Sequence, residues 1–129
     1  MFTATAVWAA PQSPAPADAY TYIIQPTDGT NVPKTFDVKF GLSGMGVAPA
    51  GVKLDNTGHH HLLIDLDRLP DLTQPLQASS QLKHFGGGQT ETTLTLAPGP
   101  HTLQLLLGNY GHVPHTPPVV STPVHITVE

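Results

Sequence analysis

The sequence predicts an all-β fold, an immunoglobulin-like Greek-key β-sandwich of about seven strands. Three observations predict it. Apolar and polar residues alternate with a period of two in several short segments, as they do in a strand with one buried face. Fourteen prolines and twelve glycines divide those segments from one another. No stretch keeps a helical period beyond two turns, so the apolar positions have only sheets to form.

The elements follow in chain order. Residues 1–10 are small or apolar and carry no charge, and Val7-Trp8-Ala9 before Ala10 suits a signal-peptidase site. Residues 1–19 therefore read as a signal-peptide remnant followed by a Pro/Ala-rich linker, and residues 20–129 as the immunoglobulin-like domain. Tyr20–Gln25 is the first strand. In residues 35–42, Phe36, Val38, Phe40 and Leu42 alternate with Asp37, Lys39 and Gly41. Residues 60–66 form the next strand, and the poorly patterned stretch 67–83 has room for one more. Residues 90–96 are rich in β-branched threonine, a good strand former. Residues 101–107 and 122–128 complete the set, the last with Val124, Ile126 and Val128 alternating with His125 and Thr127. The turn Ala97-Pro98-Gly99-Pro100 has the form of the corner before the sixth strand. His101 takes the position where a hydrogen-bonding tyrosine usually sits, which marks it as structural and not as a ligand.

Composition excludes several functions. The 129 residues make one domain, and 39% apolar content supports a core. Charged residues are only 11% of the chain, and Lys34, Lys39, Lys53, Arg68 and Lys83 are scattered. With a net charge of −4 and no basic stripe, nothing is present to neutralise phosphates, so no nucleic-acid partner is expected. No apolar run nears the ~18 residues of a spanning helix, so no membrane insertion is expected. Cysteine is absent, which rules out disulfides and leaves histidine and methionine as soft ligands. No nucleophile elbow is present, and Asp65 and Glu91 do not form a carboxylate pair. A non-enzymatic monomer or weak dimer is expected, with copper redox chemistry a distant third reading.

The histidines are the chemically distinctive feature. In the predicted topology the 41–58 connection, the 84–91 segment and the 108–115 loop share one end of the sandwich. His59, His60, His61, His84, His112, His115 and Met45 therefore converge there. Alternation puts His59 and His61 on one face of their strand, roughly 6.5–7 Å apart at the backbone, close enough for one ion. His60 points to the core, where a backbone hydrogen bond is expected. Stiffened by Pro114, Pro117 and Pro118, the 108–115 loop presents His112 and His115. The expected metal ligands are His59, His61, His112 and His115, with His84 and Met45 supplementary. Imidazoles suit copper, zinc and nickel, the Irving–Williams order favours copper, and a Met45 thioether adds preference for Cu(I). The expected function is a periplasmic or secreted histidine-rich protein that binds a copper ion for storage or delivery, with zinc as the alternative metal. The alternative function is a non-catalytic envelope binding module for a polymer or protein. It would make contact through Tyr110, Phe85 and Gln89 and keep its histidines structural or pH-responsive.

Five motifs in order resemble a bacterial exported family catalogued as domain of unknown function 4399. They are FGLSGMGVAPAG at residues 40–51, TGHHHLLID at 57–65, HFGGGQTE at 84–91, PGPHTLQLLLG at 98–108 and HVPHTPPVVS at 112–121. The resemblance implies export and no assigned activity. The chain departs from the family pattern at Leu82, where a histidine is frequent, and at Asn109, where an aspartate is frequent.

Overall fold

The alternation of residues 35–43 becomes a strand, β3 (Thr35–Ser43), that buries Phe36, Val38 and Phe40 and exposes Thr35 and Asp37. The computed structural model describes residues 11–129, and the signal-peptide reading of residues 1–10 lies outside them. Around β3 the chain forms β1 (Tyr20–Gln25), β2 (Thr30–Val32), β4 (Gly46–Val47), β5 (Thr57–Ile64), β6 (Leu82–His84), β7 (Glu91–Thr95), β8 (Gly99–Gly108) and β9 (Val124–Val128). None of the described residues forms a helix long and apolar enough to cross a membrane.

Two sheets result. The smaller has the order β1-β3-β7, antiparallel throughout. In the larger, β2-β9-β8-β5, the far edge of β5 is shared by two short strands. β4 pairs in parallel at Thr57 and Gly58, and β6 pairs antiparallel at His61–Leu63. First, second and fifth major strands in one sheet, third, sixth and seventh in the other, is the immunoglobulin-like sandwich the alternation predicts. Phe36, Val38 and Phe40 meet Leu62, Leu103 and Leu105 between the sheets.

Three local differences matter for the site. β5 begins at Thr57, earlier than the predicted residue 60, so all three histidines are within it. It ends at Ile64 because Asp65 turns the backbone at φ 56° and accepts the Thr102 N–H at 2.8 Å. The extra strand expected in 67–83 is β6, at the end of that stretch.

β5 and the adjoining end of β8 are also buried on both faces. The segment after β5 folds back over its outer face, where Leu63 and Leu106 pack with Leu76 and Leu82 in a second apolar cluster. Finally, residues 11–16, expected as a free linker, lie along the loop after β8. Ala15 N donates to Thr116 O and Thr116 N to Ser13 O, both at 3.0 Å. Pro14, Pro16 and Pro117, next to these residues, have no N–H to extend the pairing into a ladder but leave these two bonds available.

His101 has the structural role expected of it. Its Nδ1 lies 2.7 Å from the Asp65 carboxylate and its Nε2 2.7 Å from the Ala97 carbonyl. Both partners are acceptors, so the ring satisfies both only as an imidazolium. Its pKa is accordingly raised, first by the Asp65 bond and then by the Ala97 carbonyl.

A candidate metal centre on the outer face of β5

Alternation along β5 sends His60, Leu62 and Ile64 toward the inter-sheet core and His59, His61 and Leu63 outward. Across the ladder His59 faces Gly108 of β8, and His61 faces Leu106 of β8 on one side and His84 of β6 on the other. Gly108 is what makes room for the His61 ring. A Cβ there would approach His61 Cε1 to 2.5 Å, closer than carbon atoms come.

The third imidazole arrives from the loop after β8. Asn109, only 2% exposed, organises that loop: its Oδ1 accepts N–H bonds from Gly111 (2.9 Å) and Val113 (3.0 Å). Its backbone N donates to Val113 O, and its carbonyl accepts from His112 N. His112 is thereby held at φ 63°, a left-handed conformation that costs a non-glycine residue about 1–3 kcal/mol. The His112 carbonyl accepts the Leu76 N–H at 2.9 Å, which ties the loop to the segment covering β5.

Three ring nitrogens converge. His112 Nδ1 lies 3.0 Å from His59 Nε2 and 3.1 Å from His61 Nε2, and all three atoms fall within 4.8 Å of one another. His112 Nδ1 offers one lone pair or one proton, so it cannot bond well to two nitrogens at once. His59 Nδ1 and His61 Nδ1 are buried and have no hydrogen-bond partner among the described residues. Such groups are costly in a protein interior, on the order of 1–3 kcal/mol each. At a metal–nitrogen distance near 2.0–2.1 Å, tetrahedral ligand nitrogens lie about 3.3 Å apart. The two His112 spacings fall within a few tenths of an ångström of that value. The group could hold a metal ion, which would take up the three lone pairs together.

The electrostatics favour the ligating state. Burial, then His112, His84, His60 and His115, lower the His59 pKa to about 4. Burial, then His59, His84 and His112, lower His61 to about 2, against a weaker opposing effect of the Leu106 backbone. Both rings are thus neutral at neutral pH, as a metal ligand must be.

The other expected ligands are placed as follows. His84 stacks on His112 at 4.4 Å between ring centroids and meets His61 edge-on at 4.6 Å, and its Nε2 is buried without a partner among the described residues. His115 lies outside the three-nitrogen group, with its Nε2 donating to the Thr57 carbonyl at 3.0 Å. Met45 is half-buried in the turn between β3 and β4, next to Gly46, which pairs with Thr57. His60 corrects an expectation: neither of its ring nitrogens has a partner among the described residues, and its ring lies 5.2 Å from that of Phe40. The core it faces is aromatic, with Phe85 4.9 Å from Phe40, and burial lowers the His60 pKa to about 4. Phe85 itself is buried and cannot serve as a contact surface. Gly108 and Asn109 are the functional residues that sequence reasoning missed. Each follows a strand pattern only as a turn residue, and their roles depend on what lies across the ladder.

No curated protein and no solved structure matches this chain. One family model does match, over residues 38–129, described as Domain of unknown function (DUF4399). That span takes in most of β3, all of β4 to β9, and every histidine of the cluster. The chain belongs to the DUF4399 family.

Proposed function

We propose that this protein is an exported metal-binding module that holds copper, for storage or delivery, between His59, His61 and His112, with His84 as fourth ligand. The observation that carries the reading is the convergence of three imidazole nitrogens on one another in place of ordinary hydrogen-bond partners. His84 supports a fourth position because its buried Nε2 is unpartnered among the described residues and its ring touches two of the three. The all-imidazole donor set suits both copper and zinc, the Irving–Williams order favours copper, and zinc is the alternative metal. Export is supported by the small-residue stretch Val7-Trp8-Ala9 before Ala10.

The test is metal content, affinity and thermal shift of tag-free protein with Cu(I), Cu(II), Zn(II) and Ni(II). One equivalent bound, tightest for copper, is expected, with His112→Ala weakening it about 10- to 100-fold. Half-buried on a loop, His112 can be truncated with less damage to folding than His59 or His61. Failure to bind any of the four ions stoichiometrically would refute the metal reading.

A further inference from the structure

We infer that residues 11–16 are a strap belonging to the metal centre, and that Asn109 is the positioning residue through which the strap holds His112. The inference rests on the reading of the histidine cluster as a metal site.

The Asn109 carboxamide is fully used, and its two ends do different work. Oδ1 closes the 109–113 turn by accepting the Gly111 and Val113 N–H bonds. Nδ2 leaves that turn and donates to the Pro11 carbonyl at 3.0 Å and to Ser13 Oγ at 3.1 Å. A carboxylate could accept the first pair of bonds and one from the Ser13 hydroxyl, but it has no proton to give the Pro11 carbonyl. The amide is thus required by the strap and not by the turn.

Around this contact the strap is bonded to both segments that cover the histidines. Ala15 N and Ser13 O pair with Thr116, beyond His112 on the same loop. Gln12 Nε2 donates to the Leu72 carbonyl at 2.8 Å, in the segment whose Leu76 N–H bonds to His112 O. His112 therefore sits between two loops that the strap joins. A non-glycine residue in the left-handed region persists only where its surroundings over-determine it. The strap supplies part of that constraint. It keeps Nδ1 of His112 beside the two β5 nitrogens before an ion arrives, so less ordering is lost on binding. Without it the site reduces toward the two rigid ligands of β5.

Two variants of the full chain test this. Asn109→Asp keeps the turn acceptor and removes the strap donors. Ala15→Pro removes the N–H given to Thr116 and leaves the turn untouched. The measurements are Cu(I) affinity by competition with a chromophoric chelator, the metal off-rate, the apo melting temperature, and amide exchange at Gly111, His112 and Val113. Each variant is expected to weaken Cu(I) binding about 10- to 100-fold, the range typical of groups that orient metal ligands. Faster metal release and faster exchange at the three amides should accompany the weaker binding. In Asn109→Asp the added negative charge would by itself tighten cation binding, so weakening there reports the lost contact. A lower melting temperature with affinity and off-rate unchanged in both variants would overturn the strap and leave the metal reading standing. An unmodified chain that binds no ion would overturn both.

Discussion

At the scale of single residues, the site depends on what is missing as much as on what is present. Gly108 faces His59 across the β5–β8 ladder, and the absence of its side chain is what admits the His61 ring. Gly108→Ala would put a methyl carbon 2.5 Å from His61 Cε1. The ring would have to leave its rotamer and move away from His112. We expect a stability loss of about 1–3 kcal/mol, typical of overpacking a tight interior, together with at least a tenfold loss of metal affinity, read by chemical denaturation and by chelator competition. Affinity retained in a destabilised variant would show that His61 has another productive position. At this scale the sequence was legible in one respect. A period of two separates His59 and His61 from His60 whatever the fold, because side chains alternate along any strand. The partners of those side chains were not legible. The lack of any partner for His60 among the described residues, and the clash that Gly108 avoids, arise from residues that meet only when β5, β8 and β3 have assembled.

At the scale of elements, the end of β5 and the start of β8 are joined by one charged contact. His101 donates to the Asp65 carboxylate and to Ala97 O, and its pKa is raised chiefly by Asp65. A base whose pKa is higher folded than unfolded stabilises the fold fully below its unfolded value near 6.5, and that contribution is lost as pH rises through the folded value. Asp65→Asn should therefore bring the His101 pKa down toward 6.5 in an NMR titration. It should also destabilise the protein at pH 5–6 by on the order of 1 kcal/mol, discounted for the partial exposure of Asp65. The stability gap between variant and parent should narrow as pH rises. A gap independent of pH would mean that the Asp65 bond to the Thr102 N–H, and not the ion pair, is what counts. The long strands were legible because five or more alternating residues carry a pattern. β2 and β4, of three and two residues, were not, since no period can be read from so few. They exist because β9 and β5 offer free edges to segments that pass nearby.

At the scale of the molecule, sandwich architecture follows from alternation, but the double burial of β5 does not. The segment between β5 and β6 has no clear period, yet Leu76 and Leu82 seal the outer face and place the histidines under cover. That cover gives the whole fold a pH dependence. His59 and His60 have folded pKa values of about 4 and His61 of about 2, against about 6.5 in an unfolded chain. Between pH 6.5 and 4 the unfolded chain binds up to three protons at these positions that the folded chain does not. Stability is thus fully present above pH 6.5 and falls as pH drops, by up to about 1.4 kcal/mol per pH unit for each ring. His101 acts in the opposite sense and is outnumbered. The apo protein should therefore show a melting temperature that is nearly flat from pH 7 to 8 and declines steeply below pH 6. A bound ion leaves that slope unchanged while the folded rings of His59 and His61 are neutral, because ions and protons compete for their nitrogens only as pH nears the folded values. At a free metal concentration 100 times Kd the ion adds about 2.7 kcal/mol, an increment that His59 and His61 keep from pH 7 to 5 and lose only as pH falls toward 4 and below. Melting curves across that range, with and without one equivalent of Cu(I), separate the two effects. A metal increment that persists unchanged below pH 4 would place the ion on groups other than these histidines.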